Sequence, residues 1–173
     1  MRVIVNAISA NTGGIVTYTN NLIEYLANRE IEVVVFVPKW FDTEHFAGIG
    51  VSVKFVKTRF FGVLHRFLWE QIIWRRIVAQ SRADLVFSSA NYGILFPPIP
   101  QILLVQGEIH LNPIYRKLVL PKLSWRERMS AFLRRNLMLM SARHSRMTIF
   151  PSEVARNAAI DFDGSLLGNS VVN

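Results

Sequence analysis

The chain has 173 residues, enough for one domain with a real core, and 51% of them are hydrophobic with no low-complexity tract, which excludes a disordered chain. It contains no cysteine, which excludes disulfides and thiolate–metal sites and suits a reducing cytosol. The formal charge is +8, and the excess is concentrated: between Ile114 and Met147 nine Lys/Arg meet one acid, Glu127, while the rest of the chain sums to zero. A basic stretch of this kind points to an anionic partner, whether lipid headgroups, nucleic acid or a phosphorylated substrate.

In chain order, Met1–Ala7 (MRVIVNA) predicts a short buried strand with its apolar part at Val3–Ala7. Ile8–Thr12 predicts a polar loop, and Gly13-Gly14 follow it. An amphipathic helix is expected over Ile15–Tyr25; its pattern, with Ile15, Tyr18, Leu22, Ile23 and Leu26 at helical spacing, extends over Gly14–Asn28. Further strands are expected at Glu32–Pro38, Val51–Val56, Asp84–Ser88, Ile102–Val105 and Met147–Phe150. Several are continuous apolar runs, as in parallel strands covered on both faces. Helices are expected over Phe61–Gln80, Ser124–Arg143 and Ser152–Ala159, the last opened by Ser152 as cap and Glu153 as first-turn acid. The alternation predicts an α/β domain with a Rossmann-like, doubly wound, mostly parallel sheet over residues 1–160. Residues 161–173 (DFDGSLLGNSVVN) lose helical periodicity and are expected to be a linker toward another domain or a frayed tail. The N-terminus has no basic region followed by a long apolar run, and no segment reaches roughly 18 uninterrupted apolar residues, so neither a signal peptide nor a membrane span is expected.

In such a sheet ligands bind at the carboxyl ends of the strands. Four loops therefore matter: Ile8–Gly14, Ser88–Gly93, Gln106–Asn112 and Pro151–Glu153. At Gly13-Gly14 the backbone can lie against a ligand at the positive end of a helix dipole, or the pair is simply a turn. The pattern is neither GxGxxG nor a P-loop with Gly-Lys-Ser/Thr. Asn91, with Ser88, Ser89 and Tyr92, offers hydrogen bonds to sugar hydroxyls or forms a self-satisfied turn ending in Gly93. After the ILLV strand, Gln106 should sit at the strand tip. Glu108 is a candidate general base, and His110 a candidate proton shuttle or phosphoryl ligand; a merely solvated loop histidine is the alternative. No second His or carboxylate lies at metal-ligand spacing, so no metal is expected.

The basic region centres on Ser124–Arg143, where Arg126, Arg128, Arg134, Arg135 and Arg143 accompany an apolar stripe and Trp125 stands near the start. A basic amphipathic helix suits an anionic membrane surface, and a core-packed helix with a solvated basic face is the alternative. No helix-turn-helix, zinc site or RNP-like aromatic motif supports nucleic-acid binding.

Together these stretches resemble the N-terminal domain of GT-B glycosyltransferases of the retaining family 4. The resemblance rests on RVIVNAISANTGGIVTYTNNLIEYLA, with Tyr18 four residues after Gly14, and on DLVFSSANYG, QILLVQGEIH and MTIFPSEVAR, in that order. It implies an acceptor-side Rossmann-like domain facing a C-terminal domain that holds most of a nucleotide-sugar donor, which is a substrate rather than a cofactor. Retention of configuration is likewise only implied. By the same resemblance Gly13 and Gly14 approach the donor diphosphate and the acceptor, and Ser152 and Glu153 match a Ser-Glu pair ending the last strand. Where many members place a histidine at the tip of the strand, this chain has Gln106, and His110 four residues later does not inherit that role. The family's donor-site Glu-x7-Glu motif is matched in spacing only by Glu24 and Glu32, which straddle a helix end and a strand start. Two functional classes follow. One is the acceptor-binding part of a sugar transferase acting on a glycan or lipid-linked acceptor, for instance in cell-envelope polysaccharide synthesis. The other is a non-catalytic module docking through its basic helix on an anionic membrane or a partner. Either is expected to be cytoplasmic, at most peripheral on the inner face of the membrane.

Overall fold

Runs of valine, isoleucine and leucine separated by polar loops form seven parallel strands: β1 (Arg2–Asn6), β2 (Glu32–Pro38), β3 (Ser52–Val56), β4 (Leu85–Ser88), β5 (Gln101–Leu104), β6 (Met147–Phe150) and β7 (Ser170–Val172). The computed structural model describes residues 1–10, 13–46, 48–57, 62–89 and 91–173. The strand order is β3-β2-β1-β4-β5-β6-β7. Successive side chains point to opposite faces, and the register carries each face across the sheet. Val3 and Val5 of β1 pair with Val33 and Val35 and with Leu85 and Phe87, while Ile4 pairs with Val34 and Val86.

The first face is covered by α1 (Gly14–Ala27), which lays Ile23, Leu22 and Leu26 against Val3, Val5, Val33 and Val35. The second face is covered by the remaining helices. Trp74 and Val78 pack on Ile4 and Val86. They belong to a broken helix: α2 (Val63–Trp69), a π-helical turn (Glu70–Trp74) and α3 (Arg75–Gln80). The expected Phe61–Gln80 helix is thus present in three pieces, and Phe61 lies outside the described residues. Farther along this face, α4 (Trp125–Arg143) and α5 (Glu153–Phe162) bury Leu137, Met138, Ala155 and Ala159 against Leu103 and Phe150. A capping box between Ser124 and Glu127 starts α4.

Of the two readings of 161–173, the frayed tail is corrected. Residues Gly164–Gly168 form a 3₁₀ turn, Leu166 is fully buried in the core, and β7 pairs with β6 through Thr148–Ser170, Ile149–Val171 and Phe150–Val172. Arg143 on α4 ties this tail down through Asp163, with Nη2–Oδ2 2.6 Å and Nε–Oδ2 2.8 Å. A strand of three residues has no periodicity to betray it; its neighbour β6 creates it.

Candidate functional site

Between β1 and β4 the strand order changes direction, so the loops leaving their carboxyl ends diverge and open a crevice. Helix α1 starts at this edge. Its N-cap, Gly13, has φ 69° and ψ −150°, a conformation that suits only glycine, and no side chain caps the helix. Among the described residues no atom lies within 4 Å of a Cβ added at Gly13 or Gly14, so none of them covers the helix N-terminus there. Asn11 and Thr12 of the same loop lie outside the described residues. Tyr18 lies one turn into α1; its ring stacks on Phe87 at 6.4 Å, and burial pushes its phenol above the usual range. The ring belongs to the helix–sheet interface.

Asn91, read as a sugar contact or a self-satisfied turn, makes hydrogen bonds within the fold. In the left-handed region (φ 64°), its Oδ1 accepts from the backbone N–H groups of Gln106 and Gly107, both at 2.7 Å. A Cβ at Gly107 would come within 2.8 Å of its Nδ2, which is why glycine stands there. Asn91 therefore clamps the loop after β4 to the loop after β5. Ser88 and Ser89, expected to join it at a ligand, are fully buried; they donate to Gln101 Oε1 (3.4 Å) and to the Asn6 carbonyl (2.8 Å). Ala90 lies outside the described residues, as does the side chain of Glu108, the candidate base.

Gln106 is half-buried just past the end of β5. His110 closes a 3₁₀ turn and is also half-buried, with its ring edge-on to Tyr115 at 5.8 Å. Its Nδ1 is buried without a hydrogen-bond partner. Burial first, then the charges of Arg134 and Arg135, hold its pKa below the ordinary 6.5, so the imidazole is neutral at neutral pH. Arg134, Asn91, Tyr92, Gly107 and His110 line a small cleft at this edge of the sheet.

Beneath the crevice lies a buried ion pair absent from the sequence reading. Glu70, fully buried in the π-turn, receives Nε and Nη2 of Arg66 on Oε1, both at 3.1 Å, and Asn6 Nδ2 approaches the same oxygen at 3.5 Å. Its Oε2 has no partner. Burial raises its pKa to about 6, against the opposing charge and hydrogen bonds of Arg66 and the bond from Asn6. The Arg66 guanidinium also lies over the ring of Tyr92 at 5.1 Å. A signal was present: Arg66 and Glu70 are four apart, a helical pairing distance, with Glu70 inside the apolar run Phe67–Trp74.

Ser152 caps α5, its Oγ accepting from the Ala155 N–H at 3.2 Å, and Glu153 is paired with Arg156 at 3.6 Å. Both residues thus have structural partners. Of the arginines named on this helix as candidates for a membrane surface, Arg126, Arg128, Arg134 and Arg135 have different surroundings. Arg126 is exposed, with its guanidinium 5.7 Å from the Trp125 ring. Arg135 stacks on Phe132 at 5.5 Å and Phe162 at 4.5 Å, with Arg116 over Phe162 at 4.3 Å. Arg134 reaches the crevice, and Arg128 turns toward a cavity of about 410 Å³ that also touches His110 and Arg135. Successive residues are 100° apart around a helix axis, which puts Arg128 and Arg135 on one side and Arg126 on the opposite side.

A parallel sheet of this order, with a glycine-opened helix at the switch edge, is the fold of the N-terminal domain of GT-B enzymes. The sequence model of Glycosyltransferase Family 4 matches residues 12–165, and the chain belongs to that family. HepE from Anabaena, solved with UDP and glucose, superposes with a TM-score of 0.61 at 15% identity, over 99% of this chain and 44% of that one. A Glycyrrhiza uralensis protein solved with glycyrrhetinic acid 3-O-monoglucuronide gives 0.58 at 9% identity, over 99% and 48%. The UDP-GlcNAc 2-epimerase of Methanocaldococcus jannaschii gives 0.51 at 11%, over 99% and 45%. The chain thus spans less than half the length of each of these proteins. No curated protein matches it.

Proposed function

We propose that this chain is the acceptor-side domain of a glycosyltransferase that moves a sugar from a nucleotide-sugar to a hydroxyl or phosphate acceptor. The observation that carries the reading is the open N-terminus of α1 at the switch edge, in a chain of this family. Helix N-terminal N–H groups stabilise anionic oxygens, and the charge that develops on a departing diphosphate is of that kind. The Asn91 clamp fixes the backbone of the opposite loop at Gln106 and Gly107, three residues before His110. A neutral His110 can accept a proton from an attacking hydroxyl or donate one to a phosphoryl oxygen, depending on tautomer. In this reading the donor is held chiefly by a second domain outside these 173 residues; that HepE was solved with UDP and glucose supports a nucleotide-sugar as the donor class. The test is an assay of the full open reading frame against a panel of nucleotide-sugars. Transfer from at least one donor is expected, with none from residues 1–173 alone; failure with every donor, or turnover by the isolated chain, contradicts the reading.

We infer further that the domain docks on an anionic membrane surface. No helix among the described residues is long and apolar enough to cross a membrane. The support is the segment preceding α4 together with the first turns of that helix. Ile114, Leu118, Trp125, Met129 and Phe132 are exposed there beside Arg116, Lys117, Lys122 and Arg126. Large exposed apolar and cationic side chains in one stretch suit a headgroup–acyl boundary.

A further inference from the structure

Glu70 is the one acid of residues 62–80, and packing alone does not call for it. It opens the π-helical turn and is fully buried. Single π-turns inside α-helices are rare and recur at functional sites. A buried ion pair is weak support for stability, because taking two charges out of water costs about as much as their attraction returns. Here burial is the largest influence on Glu70 and raises its pKa to about 6, so the ionised form that prevails at higher pH is held at a cost. An apolar residue would escape that cost.

The partners of the carboxylate show what the charge does. Oε1 takes both Nε and Nη2 of Arg66, which fixes the guanidinium, and Asn6 Nδ2 approaches the same atom. Two connections lead away from this point. On one side, Asn6 ends β1. Its Oδ1 accepts from the Ile8 N–H (3.4 Å) at the start of the loop that runs to Gly13, and its carbonyl accepts from the Ser89 N–H (3.1 Å) and hydroxyl (2.8 Å). On the other side, Arg66 lies over the ring of Tyr92, which also meets Phe67 of α2 edge-on at 6.3 Å. Tyr92 follows Asn91, the clamp on Gln106 and Gly107, and both line the small cleft with His110. β1 and β4 are the neighbours at which the strand order changes direction. One carboxylate is thus tied to both walls of the crevice.

We propose that Glu70 is a positioning residue: its ionised carboxylate holds the loop after β1 and, through Arg66 and Tyr92, the loop after β4 in one relative arrangement. A ligand in the crevice then meets the start of α1 and the His110 cleft already aligned, without an ordering cost at binding. The benefit to sugar transfer rests on the reading above; the ordering of the loops is measured without it.

The test compares wild type with Glu70→Gln and with an apolar pair, Arg66→Met combined with Glu70→Leu, which leaves no buried charge behind. Amide hydrogen exchange on residues 1–173 at about pH 7.5 should show Ile8, Gln106 and Gly107 exchanging about tenfold faster or more in the variants, with Thr148 of β6 unchanged. Glu70→Gln should melt no lower than wild type at that pH. In the full reading frame, Glu70→Gln should lower kcat for transfer by about tenfold or more. The KM for the nucleotide-sugar should stay within about twofold, since in that reading the donor sits chiefly on the second domain. A role confined to folding predicts a lower melting temperature for Glu70→Gln and faster exchange at Thr148 as well. That result, or unchanged exchange at the three loop amides in both variants, overturns the proposal. Loosened amides with an unchanged kcat overturn the role in transfer. Transfer from no donor by wild type contradicts the transferase reading instead, and the exchange result still decides whether Glu70 orders the loops.

Discussion

Glu70 sits in the core with one partnered oxygen and one without. Its folded pKa, about 6, lies above the ordinary 4.5, so its contribution to stability is fully present below the lower value and is lost as pH rises through the higher one. Unfolding free energies of wild type and Glu70→Gln, measured from about pH 4 to pH 8, should therefore diverge by about 2 kcal/mol, with wild type losing ground as the pH rises. Parallel curves would show that the carboxyl titrates normally. At Asn91 the expectation is steric as well as polar. Gly107→Ala forces a methyl group toward Nδ2, and Asn91→Ala leaves two backbone N–H groups without their acceptor. Each should cost about 1–3 kcal/mol in chemical denaturation, and a cost near zero would mean that the two loops hold together without the clamp. That a helix starts at Gly13-Gly14 was legible from a glycine pair between a strand and a helical pattern. The clamp at Asn91 was not legible, because its partners lie fifteen and sixteen residues away, on a loop that becomes a neighbour only when β4 pairs with β5.

Elements with sustained periodicity were legible, and those created by their neighbours were not. The β2 run EVVVFVP and the α1 stripe announce themselves, whereas β7 and the π-turn do not. The tail offers a sharp stability test. Leu166 is fully buried, so Leu166→Ala should destabilise the domain by about 2–5 kcal/mol in denaturant, as for other core leucines; a change below about 0.5 kcal/mol would restore the view that 161–173 is a tether. Burial opposes ionisation of Asp163, but the Ser165 hydroxyl and amide and Arg143 outweigh it and hold its pKa below the usual carboxylate range. This part of the tail's anchorage is present above the unfolded value and is lost as pH falls through the folded one. At the basic stretch, the different surroundings of the arginines change which substitutions matter for docking. Lys122→Glu combined with Arg126→Glu should lower co-sedimentation with phosphatidylglycerol vesicles by more than tenfold at low salt, at about 1 kcal/mol per charge removed. Unchanged binding would remove the membrane surface from the account.

For the molecule as a whole, the two faces of the sheet are covered unequally. The second face carries α2 to α5, while the first carries α1, leaving Met147 and Val171 exposed along β6 and β7. The parallel, Rossmann-like sheet follows from strand–helix alternation, and so was legible; the lining of the cavity beside His110 depends on how the segment 105–123 folds against α4, and was not. The central claim is that the open start of α1 receives the anionic part of a transfer reaction. Gly14 lacks a positive φ, and a Cβ there meets no described atom within 4 Å, so Gly14→Val should fold normally while placing a side chain where the ligand must come. The most direct measurement is the initial rate of sugar transfer by the full reading frame with and without Gly14→Val, alongside the melting temperature of each. A fall of tenfold or more at an unchanged melting temperature is predicted; an undiminished rate would contradict the claim.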